Sequence, residues 1–211
     1  MRNQKFEYYM RELNLIKRQN WIENDLYHLV AEMIKAGKNM SRLSLRDVSL
    51  RSRSPKGQIF YGLSSFPDFV ILDERFDNSD NLAGGSVNIA NKNLIYGCVE
   101  VKNVDEKLLD LESIDLISEF EKAKKPGNEL NQDLGQLLGQ ILWFKKVLYT
   151  NGNIWKFYKR TSQETDNFLT DKCIEKLFED RMKNEAPDYK WYVGLDDDNL
   201  KIEKVFEFVL E

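Results

Sequence analysis

Asp68 follows Pro67 at the head of a short apolar run, and Glu100 and Lys102 flank Val101 near the end of a second one. Residues two apart in a strand face the same way, so Glu100 and Lys102 project to one side while Val99 and Val101 point to the other, into a core. Pairing the two runs as neighbouring strands brings Asp68, Glu100 and Lys102 into one cluster of two carboxylates and an ammonium. Magnesium prefers oxygen ligands and is often held by only one or two protein carboxylates, with waters and substrate phosphate completing the shell. Asp68 and Glu100 meet that need. Lys102 is placed to position water or to stabilise charge as a phosphodiester is hydrolysed.

Other chemistries are excluded by what the chain lacks. Its single histidine, His28, rules out zinc sites that need two or more histidines, and two cysteines, Cys98 and Cys173, make neither a four-thiolate site nor a disulfide framework. Reduced thiols are expected, with Cys98 a packing residue near the site. The 31 basic and 35 acidic residues exclude a uniformly basic polymer binder. Residues 35–56 nevertheless hold seven basic residues (Lys35, Lys38, Arg42, Arg46, Arg51, Arg53 and Lys56) against Asp47 alone. That stretch reads either as a solvated loop or as an arm that contacts phosphates. No apolar run approaches the ~18 residues of a membrane span, and residues 1–11 are charged rather than signal-like, so a cytoplasmic protein with no membrane partner is expected.

The elements that must position these groups follow from periodicity. Residues 20–36 carry apolar positions at helical spacing and close at Gly37. Strands are predicted over 66–72 and 94–102, separated by a turn-rich stretch, with 86–90 a short strand or part of that loop. Helices are predicted over 105–125, ending at Pro126-Gly127, and over about 129–149, with Asn151-Gly152 as the stop. Residues 154–159 alternate like a strand, 171–182 like a helix, and 201–210 alternate again. The 211 residues suit a single domain, 1–211, with one substantial core and an α/β fold.

Pro67-Asp68 followed about thirty residues later by Glu100-Val101-Lys102, with a core helix before and an amphipathic helix after, resembles the PD-(D/E)XK nuclease superfamily over roughly residues 21–158. The resemblance implies a restriction-endonuclease-like core, a mixed central β-sheet flanked by helices. It implies Asp68 and Glu100 as metal ligands, the Val101 carbonyl as another, and Lys102 as the catalytic lysine. Many members add an acidic residue from the first helix, for which Glu23 is the matching candidate. A surface glutamate favoured by the helix dipole is the other reading of Glu23, and Asp25 and Glu32 are alternatives on the same helix. Several branches carry a Gln-x-x-x-Tyr motif, and this chain has Gln136-Leu-Leu-Gly-Gln140-Ile-Leu-Trp-Phe144. Gln136 and Gln140 share a helix face, while Phe144 stands where a tyrosine would follow Gln140, so a hydroxyl contact is absent or supplied elsewhere. Residues 148–158 are similar to the turn that follows this motif in restriction-type nucleases.

The expectation is a Mg2+-dependent endonuclease, with Mn2+ able to substitute, acting on nucleic acid and on DNA rather than RNA by family frequency. A homodimer would let one site per chain cut two strands. The competing expectation is a nuclease-fold protein without cleavage that binds nucleic acid or a protein partner in defence or counter-defence, since fold does not establish activity. Read without that resemblance, Glu100 and Lys102 are a solvent-facing cross-strand ion pair worth ~0.2–1 kcal/mol, and Asp68 is a residue at the start of a strand. Trp191, Tyr192 and Phe206 read as core or oligomer contacts rather than a base-stacking platform.

Overall fold

The computed structural model describes residues 2–19, 22–37, 42–51, 55–78, 89–161, 171–184, 192 and 200–210. Trp21, Lys38, Arg53, Gly84-Gly85, residues 86–88, Trp191, Val193 and the aspartates 196–198 lie outside them. The described elements run α1 (Arg2–Gln19), α2 (Glu23–Lys35), β1 (Leu43–Asp47), α3 (Pro55–Tyr61), β2 (Phe69–Asp73), β3 (Ile95–Val101), α4 (Leu116–Lys124), α5 (Gln132–Phe144), β4 (Lys146–Thr150), β5 (Ile154–Arg160), α6 (Asp171–Asn184) and β6 (Ile202–Val209). The six strands form one mixed sheet in sequential order. Every neighbouring pair is antiparallel except β3 and β4, which run parallel and are joined through α4 and α5.

Helices cover both faces of the sheet, so its central strands are apolar in runs rather than in alternation. On one face α1 and α2 bury Tyr9, Leu13, Leu26, Leu29 and Val30 against Phe69, Val99, Val101 and Trp155. On the other, α3 to α6 build a larger core around Trp143, Leu138, Tyr149, Tyr158 and Phe178, and Cys98 packs there as a free thiol. Glu100 and Lys102 are therefore buried under α5 and do not lie on an open charged face.

Several expected elements change. The helix expected to reach residue 149 ends at Phe144, where Lys145 takes a left-handed conformation (φ 67°), and the next five residues form β4. Asn151-Gly152 is consequently the β4–β5 turn. Gly152 has φ +83°, a conformation that strains other residues, and a Cβ there would stand 2.8 Å from Leu13 Cδ1, so glycine is favoured where α1 settles on the turn. Of the helix expected over 105–125 only α4 and a short 3-10 turn at Leu111–Ser113 form. The described residues of the basic stretch close α2, form β1 at the edge of the sheet and open α3. α1 and α3 were not expected. Tyr192 stacks on Phe120 in the core, whereas Phe206 is exposed.

The Tyr9 hydroxyl donates to the Gly152 carbonyl at 2.6 Å, and the Trp155 indole N–H donates to the same oxygen at 3.1 Å. Removing the shorter of these buried bonds with Tyr9→Phe is expected to cost about 1 kcal/mol and lower Tm by roughly 2–4 °C in a thermal melt.

Candidate functional site

The site lies where β2 begins and β3 ends. Phe69 pairs with Val99, and the Asp68 N–H donates to the Val99 carbonyl at 3.1 Å. Beyond that point β2 offers no further rung, since Pro67 has no N–H. The Asp68 side chain takes over: its Oδ2 accepts from the Val101 N–H at 2.6 Å. The Lys102 N–H turns the other way, to the Thr150 carbonyl at 2.8 Å. Within a strand a residue's N–H and C=O leave the same edge, so the Val101 carbonyl is directed to the edge that Asp68 caps.

Glu100 meets Asp68 from the α5 side. Asn131 caps α5 by accepting from the Leu134 N–H, fixing a helix whose successive turns carry Gln136 and Gln140. Their amides donate to Glu100, Gln136 Nε2 to Oε1 at 2.5 Å and Gln140 Nε2 to Oε2 at 2.7 Å. Gln140 is buried and its Oε1 has no hydrogen-bond partner among the described residues. The Lys102 ammonium sits 3.3 Å from Glu100 Oε1 and 3.3 Å from Asp133 Oδ1, with Gln136 Oε1 at 3.5 Å. The structure thus brings Asp68, Glu100, Lys102, Gln136 and Gln140 together.

From the opposite side α2 supplies Glu23 and Tyr27, one turn apart. The Tyr27 hydroxyl contacts Asp68 Oδ1 and lies 3.1 Å from Glu23 Oε1, and its ring packs edge-on against Phe69 at 5.3 Å. Glu23 is therefore half-buried and joined to the cluster, whereas Asp25 and Glu32 point to solvent. Tyr27 and Asp133 went unrecognised in the sequence. Their only signals were helical spacing: Tyr27 four residues after Glu23, Asp133 three before Gln136. Phe144 is core, and the hydroxyl at the cluster is that of Tyr27, which meets Asp68 and Glu23. His28 is exposed in a groove of about 620 Å3 that Tyr27 also lines, between α1, α2 and the end of β1.

Electrostatically the centre is short of positive charge. Burial, followed by repulsion from Asp68, raises Glu100 well above the usual carboxylate range. Burial chiefly raises Asp68 as well, against the opposing hydrogen bonds from Tyr27 and Val101. Burial raises Glu23, with Lys102 opposing. Burial alone would depress Lys102, but Glu100 and Asp133 outweigh it and hold the amine protonated. Burial and the Asp68 charge keep Tyr27 a phenol. Glu23 also feels Glu106 and Asp133, and the carboxyl groups of Glu23, Asp68, Glu100 and Asp133 all interact with the one Lys102 ammonium.

Among the described residues no group of three or more His, Cys, Asp or Glu side chains is gathered closely enough to hold a metal ion, and no helix is long and apolar enough to cross a membrane. The donors themselves suit a hard divalent cation. Asp68, Glu100 and the Val101 carbonyl are all oxygen donors, the two carboxylates are buried close enough to repel, and each keeps lone pairs beyond those its hydrogen bonds use. The bonds from Gln136, Gln140, Tyr27 and Val101 are of the outer-shell kind that orients ligating carboxylates. Compared with models of protein families, with curated proteins and with solved structures, the chain matches none.

Proposed function

We propose that the protein is a divalent-cation-dependent endonuclease of PD-(D/E)XK type, hydrolysing phosphodiester bonds in DNA in preference to RNA. The observation that carries this reading is the convergence of two buried carboxylates, Asp68 and Glu100, on the end of β3 with one ammonium, Lys102, beside them. Asp68, Glu100 and the Val101 carbonyl would hold Mg2+ or Mn2+, with Glu23 completing the carboxylate set through Tyr27. When bound, such an ion polarises the phosphoryl oxygen and acidifies water.

The chain's own residues have separable tasks. Gln136 and Gln140 hold both Glu100 oxygens and keep that carboxylate from rotating. Lys102, fixed between Glu100 and Asp133, presents a permanent positive charge where charge grows on the phosphate in the transition state. The excess of carboxylates around it repels a phosphodiester backbone. Nucleic acid is therefore expected to bind only once divalent cation is present, and binding followed by anisotropy should collapse when EDTA is added.

The deciding experiment incubates plasmid, single-stranded DNA and RNA with Mg2+ or Mn2+, using Asp68→Ala as the control. Cleavage of DNA that the substitution abolishes supports the reading, and preference for RNA reassigns the substrate. Binding without cleavage favours the alternative, a nuclease-fold protein that binds nucleic acid or a protein partner in defence or counter-defence.

Tyr27→Phe tests the support on the α2 side, because it keeps the ring against Phe69 and deletes only the hydroxyl that ties Glu23 to Asp68. Loss of an outer-shell partner weakens cation affinity by about 10–100-fold. That shift is expected in a Mn2+ titration followed by electron paramagnetic resonance, with the cleavage rate largely recovered at saturating Mn2+. Unchanged affinity would show that Tyr27 only packs.

A further inference from the structure

We propose that two copies of this chain associate through β6, edge to edge and antiparallel, to form one continuous twelve-stranded sheet. β6 is the last strand of the sheet, eight residues long, and among the described residues nothing pairs with its outer side. An edge strand leaves half of its backbone N–H and C=O groups unpaired. Here it also displays Val205, Phe206, Phe208 and Val209, each roughly half exposed, with Phe206 stacked on Phe157 at 5.4 Å. A long apolar edge of this kind is a template for another strand.

Its occupant is identified by self-complementarity. β6 carries one extra residue, Val205, because Tyr158 pairs with Lys204 while Phe157 pairs with Phe206. The bulge brings Lys204 and Glu207 onto one face, where Lys204 Nζ lies 3.0 Å from Glu207 Oε2, 2.8 Å from Glu112 Oε2 and 3.3 Å from Asp110 Oδ1. A two-fold axis perpendicular to the sheet and passing between Val205 and Phe206 then sets Lys204 opposite the partner's Glu207, and Glu207 opposite the partner's Lys204. The same register places Ile202 opposite the partner's Val209 and Glu203 opposite the partner's Phe208, each on a matching face. No like charges meet. Without the bulge, Lys204 and Glu207 would fall on opposite faces and this register would fail. An isologous contact of this kind closes on itself as a dimer and exposes no new edge.

The test is a charge exchange read by light scattering. The wild-type chain is expected at twice its 24.9 kDa mass. Lys204→Glu and Glu207→Lys should each run as monomers, since each sets like charges opposite one another. An equimolar mixture of the two should return to the dimer, because every charged position then faces its opposite. A monomeric wild type, a dimer that persists in both single variants, or a mixture that stays monomeric would overturn the proposal. Should either variant lose its circular dichroism signal, Val205→Lys replaces it, setting two added ammonium groups beside the axis, and a dimer that survives this change overturns the proposal equally. None of these outcomes depends on nuclease activity.

Discussion

Lys102→Ala is expected to lower divalent-cation-dependent cleavage by about 10²–10³-fold while leaving Mn2+ bound at least as tightly as in the wild type. The two effects diverge because the amine and the cation do different work. Lys102 is held by Glu100 and Asp133 at 3.3 Å from each, and neither the Asp68 bond to Val101 nor the glutamine bonds to Glu100 involve its side chain. Deleting it removes charge stabilisation from the transition state. It also removes the one ammonium that, among the described residues, competes with a cation for the same carboxylates, so cation affinity has no reason to fall. Asp68→Ala should do the reverse, losing Mn2+ binding together with cleavage. Single-turnover cleavage of a plasmid alongside a Mn2+ titration separates the two. Cleavage that survives both substitutions would belong to another site, and parallel loss of affinity in both variants would contradict the division of labour.

The parts of this site carried by regular periodicity were legible in the sequence. Pro67-Asp68 and Glu100-Val101-Lys102 each sit on an apolar strand run, and Gln136 and Gln140 sit one turn apart on a helix with a long leucine stripe, so type and spacing alone bring them to neighbouring elements. What was illegible depended on contacts between elements. Tyr27 reads as one more residue of α2 until β2 delivers Asp68 to its hydroxyl. β4 was hidden because Val147 and Leu148 prolong the apolar stripe of α5, and the helix stops at Lys145, a left-handed residue that is not glycine. The leucines of 108–111 have helical spacing, yet the Tyr158 hydroxyl accepts from the Leu111 N–H and donates to the Leu109 carbonyl, taking groups a helix would need. β1 was masked by Arg46 within it and Arg42 just before it, because at a sheet edge only Leu45 needs to be buried. α1 holds its place with little more than Tyr9 and Leu13, too sparse a stripe to stand out among charges.

Asp68→Asn is expected to stabilise the fold at pH 8 in the absence of divalent cation, raising Tm by about 5–10 °C. Both buried carboxyls are raised above their unfolded values, Asp68 mainly by burial and Glu100 by burial and by Asp68. Between about pH 4, where unfolded carboxyls titrate, and neutrality, the folded chain therefore holds more protons than the unfolded one. Stability must fall as pH rises through that window, the direction opposite to that of a salt-bridged carboxylate. Asparagine removes Asp68's share of this penalty without leaving a gap. Its Oδ1 can accept from the Val101 N–H, and its amide can donate to Tyr27, whose own proton then turns to Glu23. Melts of both proteins at pH 5, 6, 7 and 8 should show the variant's advantage growing with pH and vanishing near pH 4. Adding Mn2+ at pH 8 should raise the wild-type Tm through ligand linkage and leave the variant almost unmoved, narrowing the difference or reversing it. An advantage independent of pH would mean that Asp68 is already paired well enough to stay ionised, and the electrostatic case for a cation at the end of β3 would go with it.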